Sequence, residues 1–181
     1  MREKQKMLAG ELYRVDAELL ADMQRAQEIV AEYNKAGGDK VLSRKLLEEL
    51  LGSIGADVVI KPSFRCDYGY NISIGARSFI NYDCVLLDCN KIVIGAEVQI
   101  APGVHIYTAT HPLDAATRRV GLESAHPVTI SDGVWLCGRV VICPGVTIGE
   151  NTVVGAASVV TEDLPANVVA MGVPARPVCS V

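Results

Sequence analysis

The stretch VICPGVTIGENTVVGAASVV at residues 141–160 carries a bulky aliphatic side chain at every sixth position, at Ile142, Ile148, Val154 and Val160. An α-helix repeats every 3.6 residues and an alternating strand every two, so neither produces this spacing. A six-residue repeat with small or turn-forming residues between the aliphatic ones is typical of a parallel β-helix. Three such hexads make one triangular coil, in which every sixth side chain points inward and stacks on its counterparts in neighbouring coils.

The same spacing, which we call the hexad repeat, extends over most of the chain. Its earlier positions are Ile54, Ile60, Cys66, Ile74, Ile80, Leu86, Ile94, Ile100, Ile106, Ile130 and Leu136. Fifteen positions at three per coil predict about five coils. Two of the steps, which end at Ile74 and Ile94, are eight residues long and predict enlarged turns. The polar insert YTATHPLDAATRRVGLESAHP at residues 107–127 interrupts the repeat and predicts a long loop that leaves the β-helix.

A different pattern precedes the hexad repeat. Apolar residues recur at steps of three and four within residues 16–33 and again within residues 40–51, which predicts two amphipathic helices. Asp39 is placed to cap the start of the second helix and Gly52 to end it. The open end of a β-helix exposes stacked apolar side chains, and these helices are expected to cover it. The predicted domains are an N-terminal helical cap at residues 1–52 and a β-helix at residues 53–181, which includes the loop at 107–127 and a C-terminal tail.

The composition suits a narrow aliphatic interior and argues against several functions. Hydrophobic residues make up 50% of the chain but aromatic residues only 5%, as expected where large rings do not fit between stacked short strands. A net charge of −4 argues against a protein whose main ligand is nucleic acid. The N-terminal residues lack the apolar core of a secretory signal, and no apolar run approaches the length of a membrane span. We therefore expect a cytoplasmic protein without nucleic acid or membrane partners.

Several longer segments carry a resemblance to a known family. They are AGELYR at residues 9–14, FRCDYGYNI at 64–72, APGVHIYTATHP at 101–112, PVTI at 127–130, PGVTIG at 144–149, VVT at 159–161 and GVPAR at 172–176. In these segments, and in their order along the whole chain, the protein resembles the hexapeptide-repeat sugar O-acetyltransferases. This family contains the maltose and galactoside acetyltransferases, with the nodulation acetyltransferases close by, and the resemblance is greater to the maltose type.

The resemblance implies a mainly β fold, a left-handed parallel β-helix. It also implies an acyltransferase that moves an acetyl group from acetyl-CoA to a hydroxyl of a sugar such as maltose, glucose or a galactoside, with no metal required. In the family, three chains pack side by side and each active site lies between neighbours. We therefore expect a homotrimer whose other partners are small molecules, the sugar acceptor and acetyl-CoA.

The insert contains a candidate catalytic base. A sugar hydroxyl is a poor nucleophile at neutral pH, and imidazole, with an unperturbed pKa of about 6.5, is a suitable base for activating it. His111 stands between Thr110 and Pro112, and from the residues alone it is either such a base or an ordinary loop histidine. The resemblance assigns the role of base to His111, which removes the hydroxyl proton during attack on the thioester and returns it to the departing thiolate. His105 and His126 are interpreted as a strand residue and a loop residue.

The resemblance also assigns the residues that bind the two substrates. Asn81 is placed as a hydrogen-bond donor to the oxyanion or as a sugar contact, and an asparagine that holds a tight turn is an equally good interpretation. The acceptor-binding candidates are Asp16, Asp67, Asn81 and Asp88, each of the acids being alternatively a solvated turn residue. The coenzyme A-binding candidates are Gly138, Ala156, Thr161 and Arg176, and no residue is assigned to a metal.

The chain departs from the family pattern near the predicted nucleotide site. The family commonly carries Lys after the position of Thr161, where this chain has Glu162, and often a basic residue near the end, where it has Cys179. A carboxylate near the phosphates is expected to weaken donor binding by a repulsion that salt screens, unless Glu162 faces solvent or pairs with Arg139. These departures mildly favour a non-catalytic or differently specific protein, whereas the TATHP sequence argues against a non-catalytic one. A γ-type carbonic anhydrase needs a close histidine pair, H-x-x-x-x-H, that this sequence does not contain.

Overall fold

The computed structural model describes residues 1–36 and 38–181, in which three helices are followed by a β-helix of three parallel sheets. The helices are α1 (Glu3–Ala9), α2 (Ala17–Lys35) and α3 (Lys40–Leu50), with a short α4 (Ala115–Arg119) in the long loop. The strands are β1 (Ser53–Ile54), β2 (Val59–Ile60), β3 (Phe64–Cys66), β4 (Ile72–Ile74), β5 (Phe79–Ile80), β6 (Cys84–Leu87), β7 (Ile92–Ile94), β8 (Gln99–Ile100), β9 (His105–Tyr107), β10 (Ala109–Thr110), β11 (Ser124–Ala125), β12 (Val128–Ile130), β13 (Trp135–Leu136), β14 (Val141–Ile142), β15 (Thr147–Ile148), β16 (Val153–Val154), β17 (Val159–Val160), β18 (Val168–Gly172) and β19 (Ala175–Ser180).

Successive strands of the β-helix fall into the three sheets in turn. Sheet 1 contains β1, β4, β7, β12 and β15, sheet 2 contains β2, β5, β8, β13, β16 and β18, and sheet 3 contains β3, β6, β9, β14 and β17. Neighbours within each of these sets pair in parallel, as the hexad repeat requires. The predicted left-handed parallel β-helix is thereby confirmed.

The hexad residues of adjacent coils lie side by side and fill the interior. The stacks are Ile54, Ile74, Ile94, Ile130 and Ile148 in sheet 1, Ile60, Ile80, Ile100, Leu136 and Val154 in sheet 2, and Cys66, Leu86, Ile106, Ile142 and Val160 in sheet 3. All of these side chains except the half-buried Ile54 are buried. Each buried aliphatic side chain stabilises the fold by about 1.5–3 kcal/mol, so the repeat is the main source of stability.

The β-helix is slightly longer than the five coils that the repeat predicts. Leu164 bridges to Ile148 in sheet 1, and β18 then adds a strand to sheet 2 beside β16. β19 turns back and pairs antiparallel with β18. Residues expected to form a tail therefore make part of a sixth coil and a hairpin that ends the stack.

Glycine follows the hexad residue in several turns because adjacent coils approach closely there. A Cβ atom on Gly75 would lie 2.4 Å from the backbone nitrogen of Ala96 in the next coil. A Cβ atom on Gly95 would lie 2.7 Å from the backbone nitrogen of Asp132. Because close-packed backbone atoms cannot give way as flexible side chains do, these positions exclude any larger residue.

The helices cover the first coil, and their starts are capped by aspartates. Asp16 accepts the backbone N–H of Leu19 at the start of α2, at 3.0 Å. Asp39 accepts the N–H groups of Val41 and Leu42 at the start of α3, as predicted. The buried side chains of α2 and α3 belong to the same core as the hexad residues. Because helices and coils share one continuous core, the division of the chain into two domains at residue 52 stays a prediction.

Candidate active site

The residues predicted to bind or transform substrates lie mainly along two edges of the β-helix. We call the turns that follow the strands of sheet 3 the 3–1 edge, and the turns that follow the strands of sheet 2 the 2–3 edge. The 3–1 edge carries Asp67, Asp88, the loop with His111, and Thr161, whereas the 2–3 edge carries Asn81, Gly138 and Ala156. Sheet 3 separates the two edges, and its strands of two to four residues span roughly 7–13 Å.

The loop at residues 107–127 is tied to the N-terminal segment. Its strands β10 and β11 pair antiparallel in a register that makes His111 and Glu123 the next opposed positions of the hairpin. Glu123 and Tyr13 exchange both backbone N–H···O hydrogen bonds, at 2.9 and 3.0 Å, and the Tyr13 hydroxyl donates to the Glu123 carboxylate at 3.1 Å. The N-terminal segment therefore holds in place the strand that faces His111.

The histidines have different environments. His111 is exposed, and its ring forms no hydrogen bond with any residue that the structure describes. His105 is half-buried in β9, and its Nδ1 lies 2.5 Å from the hydroxyl of Tyr107, in keeping with its interpretation as a strand residue. His126 is exposed at the far end of the loop. His111 and His126 are both exposed, and they differ in that His111 lies opposite Glu123 in the hairpin register.

Asp88 organises the turn that presents Asp67. Asp88 is fully buried, and its Oδ1 accepts the backbone N–H groups of Asp67 at 3.0 Å and Tyr68 at 2.8 Å, while its Oδ2 accepts that of Asn71 at 3.2 Å. Burial raises the pKa of Asp88 to about 7, although the backbone hydrogen bonds oppose the rise. A contact between Asp88 and substrate stays a prediction, and its buried position favours a role in holding the turn.

Asp67 belongs to a group of carboxyl, phenol and thiol side chains that we call the acidic cluster. The cluster consists of Tyr13, Asp67, Tyr68, Cys89 and Glu123. The Cys89 thiol donates to Oδ2 of Asp67 at 3.4 Å. Burial raises the pKa of Asp67, and the charge of Glu123 raises it further. Tyr13 and Tyr68 are buried, and the Tyr68 hydroxyl has no hydrogen-bond partner among the described residues. Glu123 and Cys89 were not predicted from the sequence, where no local pattern marks them.

Asp16 lies beside the acidic cluster at the start of α2. One of its carboxylate oxygens caps the helix, and the capped residue, Leu19, packs in the same small apolar group as Tyr13 and Tyr68. Ala125 of the long loop belongs to this group as well. The structure thus brings Asp16, the acidic cluster and the loop together on one side of the molecule.

Asn81 borders a small cavity on the 2–3 edge. The cavity has a volume of about 140 Å³ and is lined by Phe79, Asn81, Gln99, Ile100, Ala101 and Trp135. Oδ1 of Asn81 accepts the backbone N–H of Tyr82 at 2.9 Å, which leaves the N–H groups of its amide to donate to a ligand. The turn-holding hydrogen bond and a ligand contact are therefore compatible. Along the same edge, the carbonyl of Gly138 accepts the N–H of Ala157 at 2.9 Å, and Ala156 is exposed.

Arg176 is paired with the residue that departs from the family pattern. Its guanidinium lies 3.1 Å from the carboxylate of Glu162, and both side chains are more than half exposed. Glu162 was expected either to face solvent or to pair with Arg139. It is largely exposed to solvent, and its ion-pair partner is Arg176, which the β18–β19 hairpin brings beside it. Thr161 is exposed next to this pair. An anion that binds Arg176 must compete with Glu162.

Residues 1–36 and 38–181 contain neither a group of side chains that could hold a metal ion nor a helix that could cross a membrane. No three side chains of His, Cys, Asp or Glu in this part of the chain are grouped closely enough to hold a metal ion. No helix in the same residues has both the length and the apolar character needed to cross a membrane.

Known proteins match the chain over its whole length. The family model described as maltose acetyltransferase hexapeptide capping motif matches residues 6–55, and the model for the bacterial transferase hexapeptide (six repeats) matches residues 127–162. Nodulation protein L of Rhizobium meliloti is 49% identical over 176 residues, which cover 96% of this chain and 96% of that protein.

Solved structures agree with these matches. A maltose O-acetyltransferase from Clostridium difficile superposes with a TM-score of 0.99 and 44% identity, over 100% of this chain and 98% of that one. A hexapeptide-repeat acetyltransferase from Vibrio cholerae, solved with acetyl coenzyme A, superposes with a TM-score of 0.93 and 40% identity, over 99% and 98% of the two chains.

The fold and these relatives define the class of protein, that of the hexapeptide-repeat acyltransferases. Within this class, the chain belongs to the family of the maltose and galactoside acetyltransferases. The family and the enzyme class expected from the sequence are therefore confirmed.

Proposed function

We propose that this acetyltransferase moves the acetyl group of acetyl-CoA to a hydroxyl of a sugar such as maltose, glucose or a galactoside, with His111 as the general base. The position of His111 carries the proposal, because an exposed imidazole stands across the hairpin from Glu123 and on the same edge as Asp67. Carboxylates suit sugar hydroxyls, since each oxygen accepts hydrogen bonds. The relatives support both substrates: one is a maltose O-acetyltransferase and another was solved with acetyl coenzyme A.

The transfer is direct, within a complex of enzyme, donor and acceptor. His111 takes the proton of the sugar hydroxyl as the oxygen adds to the carbonyl carbon of the thioester. The tetrahedral oxyanion then collapses, the carbon–sulfur bond breaks, and His111 gives the proton to the thiolate. A positioned general base contributes about 10²–10⁴-fold to the rate.

Asn81 stabilises the oxyanion or contacts the sugar. The hydrogen bond from the N–H of Tyr82 occupies the side-chain oxygen of Asn81, so the amide nitrogen is the group that can donate. A single donor to an oxyanion is worth about 3 kcal/mol in the transition state. The cavity beside Asn81 supplies space for the reacting carbonyl group.

The donor lies where the 2–3 edge of one copy meets the 3–1 edge of a neighbouring copy, since its candidate residues are divided between the two edges. Extended pantetheine contacts backbone groups near Gly138 and Ala156, and the nucleotide phosphates meet Thr161 and Arg176. Because Glu162 holds Arg176 in the free protein, donor binding requires that this ion pair open. Acetyl-CoA is used inside the cell, so we place the enzyme in the cytoplasm.

A homotrimer completes the site. In one chain, His111 lies on the 3–1 edge and Asn81 on the 2–3 edge, with sheet 3 between them. A neighbouring copy that places its 2–3 edge against the 3–1 edge of this chain brings the two residues together. Tyr82 on the 2–3 edge and Trp135 in the adjoining strand β13 of sheet 2 are 49% and 50% exposed, as expected of aromatic side chains that a second copy covers.

The test is the release of free thiol from acetyl-CoA in the presence of maltose, glucose or a galactoside. We expect His111→Ala to lower kcat by about 10²-fold or more. His126→Ala, a second exposed histidine of the same loop, is the matched control and retains activity. Wild-type turnover in His111→Ala would contradict the proposed base, and thiol release that no sugar stimulates would contradict the acceptor class. Sedimentation of the enzyme at the mass of one chain would contradict the trimer.

A further inference from the structure

A cavity between the helices and the first coil is separate from the candidate active site. It has a volume of about 330 Å³, more than twice that of the cavity beside Asn81, and none of the residues assigned to a substrate lines it. We call it the cap cavity. Its walls come from Tyr33 of α2, from the side of α3 between Lys40 and Leu47, and from residues 58–62 of the first coil. The volume lies within the range of small-molecule sites, about 300–1,000 Å³.

The floor of the cap cavity is apolar. Tyr33, Leu47, Val58 and Ile60 line it, and the hydroxyl of Tyr33 donates to the carbonyl of Ile60, which leaves the ring for contact with a ligand. Val59 also lines the cavity and is 44% exposed. Apolar surface that water reaches is stabilised when an apolar group covers it. The floor therefore favours a ligand with a hydrocarbon body.

The rim of the cap cavity is positively charged. The described residues that line the cavity include Lys40, Arg44 and Lys61 and no acidic residue. Neither lysine forms an ion pair with any residue that the structure describes. The chain as a whole has a net charge of −4, so this local group of cations is opposite in sign to the net charge of the molecule. Such a group attracts an anion.

Arg44 is held in place before any ligand binds. Its Nε donates to Glu48 at 2.6 Å, and its two Nη atoms donate to the carbonyls of Gly55 and Ile54 at 2.8 and 3.1 Å. A guanidinium has five N–H groups, so two are left for a ligand. Glu48 offsets part of the charge of Arg44, and the lysines supply most of the attraction. Because Arg44 is already fixed, it loses little conformational freedom when an anion binds.

We propose that the cap cavity binds a small amphipathic carboxylate, whose hydrocarbon body covers the floor and whose carboxylate lies among Lys40, Arg44 and Lys61. The volume of about 330 Å³ equals that of about eleven water molecules, at roughly 30 Å³ each. This gives room for a ligand of about ten non-hydrogen atoms. Hydrogen bonds from ammonium and guanidinium groups to a carboxylate are about twice as strong as neutral ones. A neutral molecule of the same shape gains only the contact with the floor, and an organic cation is repelled by the rim.

A ligand in the cap cavity contacts the helices and the β-helix at once. The hydrogen bonds of Tyr33 and Arg44 already join α2 and α3 to the first coil in the free protein. A ligand between the same elements binds the folded chain and not the unfolded one, so it raises the melting temperature. The inference does not depend on the proposed acetyl transfer, because no residue of that reaction takes part in it.

The test uses octanoate, which is of this size, with octanol and octylamine as its neutral and cationic counterparts. Calorimetric titration into the intact enzyme at low salt should give one octanoate site per chain with a Kd of about 1 mM or lower. At about 2 mM, octanoate should raise the melting temperature by about 2 °C, and octanol and octylamine by less than about a third of that. Saturating coenzyme A and maltose should leave the Kd of octanoate unchanged, because they bind elsewhere.

Substitutions in the rim and the wall locate the bound octanoate. Lys40→Gln and Lys61→Gln each remove one charge, and each should raise the Kd about threefold or more. Lys45→Gln is the matched control, because Lys45 is an exposed lysine of α3 that does not line the cavity, and it should leave the Kd unchanged. Ser43→Leu fills the cavity from α3 and should abolish binding. Leu is a better helix former than Ser, and circular dichroism verifies that this variant is folded.

The outcomes separate this proposal from the proposed function. Equal melting-temperature shifts with octanoate and octanol would overturn it, because the rim would then select no charge. Displacement of octanoate by coenzyme A would place the ligand in the donor site, and a wild-type Kd in Lys61→Gln or in folded Ser43→Leu would place it elsewhere on the surface; each result overturns the proposal. His111→Ala, which tests the acetyl transfer, should bind octanoate as the wild type does, so either proposal can fail without the other.

Discussion

Replacement of Asp88 by alanine tests whether the turn that presents Asp67 depends on one buried carboxyl group. The side chain accepts three backbone N–H groups, those of Asp67, Tyr68 and Asn71, at 2.8–3.2 Å. Asp88→Ala leaves all three donors without their acceptor. The Tyr68 N–H is buried and costs about 1–3 kcal/mol, whereas the other two belong to half-buried residues that water reaches in part, so we expect a total loss of about 3–5 kcal/mol.

The pH dependence of stability gives a finer test with Asp88→Asn. The pKa of Asp88 is about 7 in the folded protein, above the reference value of 3.8. Between these values the folded protein holds a proton that the unfolded chain has released, so the free energy of unfolding falls as the pH rises from about 4 to 7. The difference corresponds to on the order of 4 kcal/mol. Asn cannot ionise, so the variant lacks this contribution, and the stability of the wild type relative to the variant should decrease over the same range.

Urea unfolding, followed by circular dichroism at a series of pH values, measures both effects. Unfolding of Asp88→Ala within about 0.5 kcal/mol of the wild type would refute the first argument, because it would mean that other groups satisfy the three amides. If Asp88→Asn reproduced the pH dependence of the wild type, the second argument would be wrong and Asp88 would ionise near its ordinary pKa.

Two further substitutions test the packing of the coils and the donor site. Gly75→Ala should lower the free energy of unfolding by about 3 kcal/mol or more, because the added Cβ would lie 2.4 Å from the nitrogen of Ala96; an unchanged melting temperature would show that the coils can separate. Glu162→Lys frees Arg176 and adds a positive charge, so KM for acetyl-CoA should fall about tenfold at low salt and less at high salt. A KM that does not respond to the substitution would place the phosphates elsewhere.

The repeat predicted the coils well because each side of a coil is one hexad long, but it identified only part of the core. Val98, two positions before the hexad residue Ile100, is also buried, and equivalent valines recur in later coils. Alternate residues of a strand share a face, so both positions point inward. α1 offered no comparable signal, since Met7 is the buried residue of its seven, and a single apolar contact creates no periodicity.

The candidate site was predictable where its residues stand in local motifs and not where distant segments meet. His111 and Asn81 lie in short segments that resemble the family. Glu123 and Tyr13, by contrast, are 110 positions apart and come together only because the long loop folds back on the N-terminal segment. The partner of Glu162 was missed for the same reason, because the hairpin that returns Arg176 lies outside the hexad repeat.

The fold itself explains why two residues that we propose to act together lie apart in one chain. Interior positions must be aliphatic and the strands are short, so side chains that act on ligands are confined to turns and to the loop. His111 and Asn81 consequently lie on opposite edges of sheet 3. If each site forms between neighbouring copies, His111→Ala and Asn81→Ala subunits should complement each other when they are co-expressed with different affinity tags.

Every mixed trimer then contains one site with both residues intact, formed between an Asn81→Ala copy, which supplies the histidine, and a His111→Ala copy, which supplies the asparagine. Random assembly of equal amounts makes about three quarters of the trimers mixed, with one active site of three, and so restores about a quarter of the wild-type activity. Two residues that act within the same chain cannot be restored in this way. Mixed trimers no more active than the two separate variants would therefore place His111 and Asn81 in one subunit's site, and the shared-site arrangement would have to be abandoned.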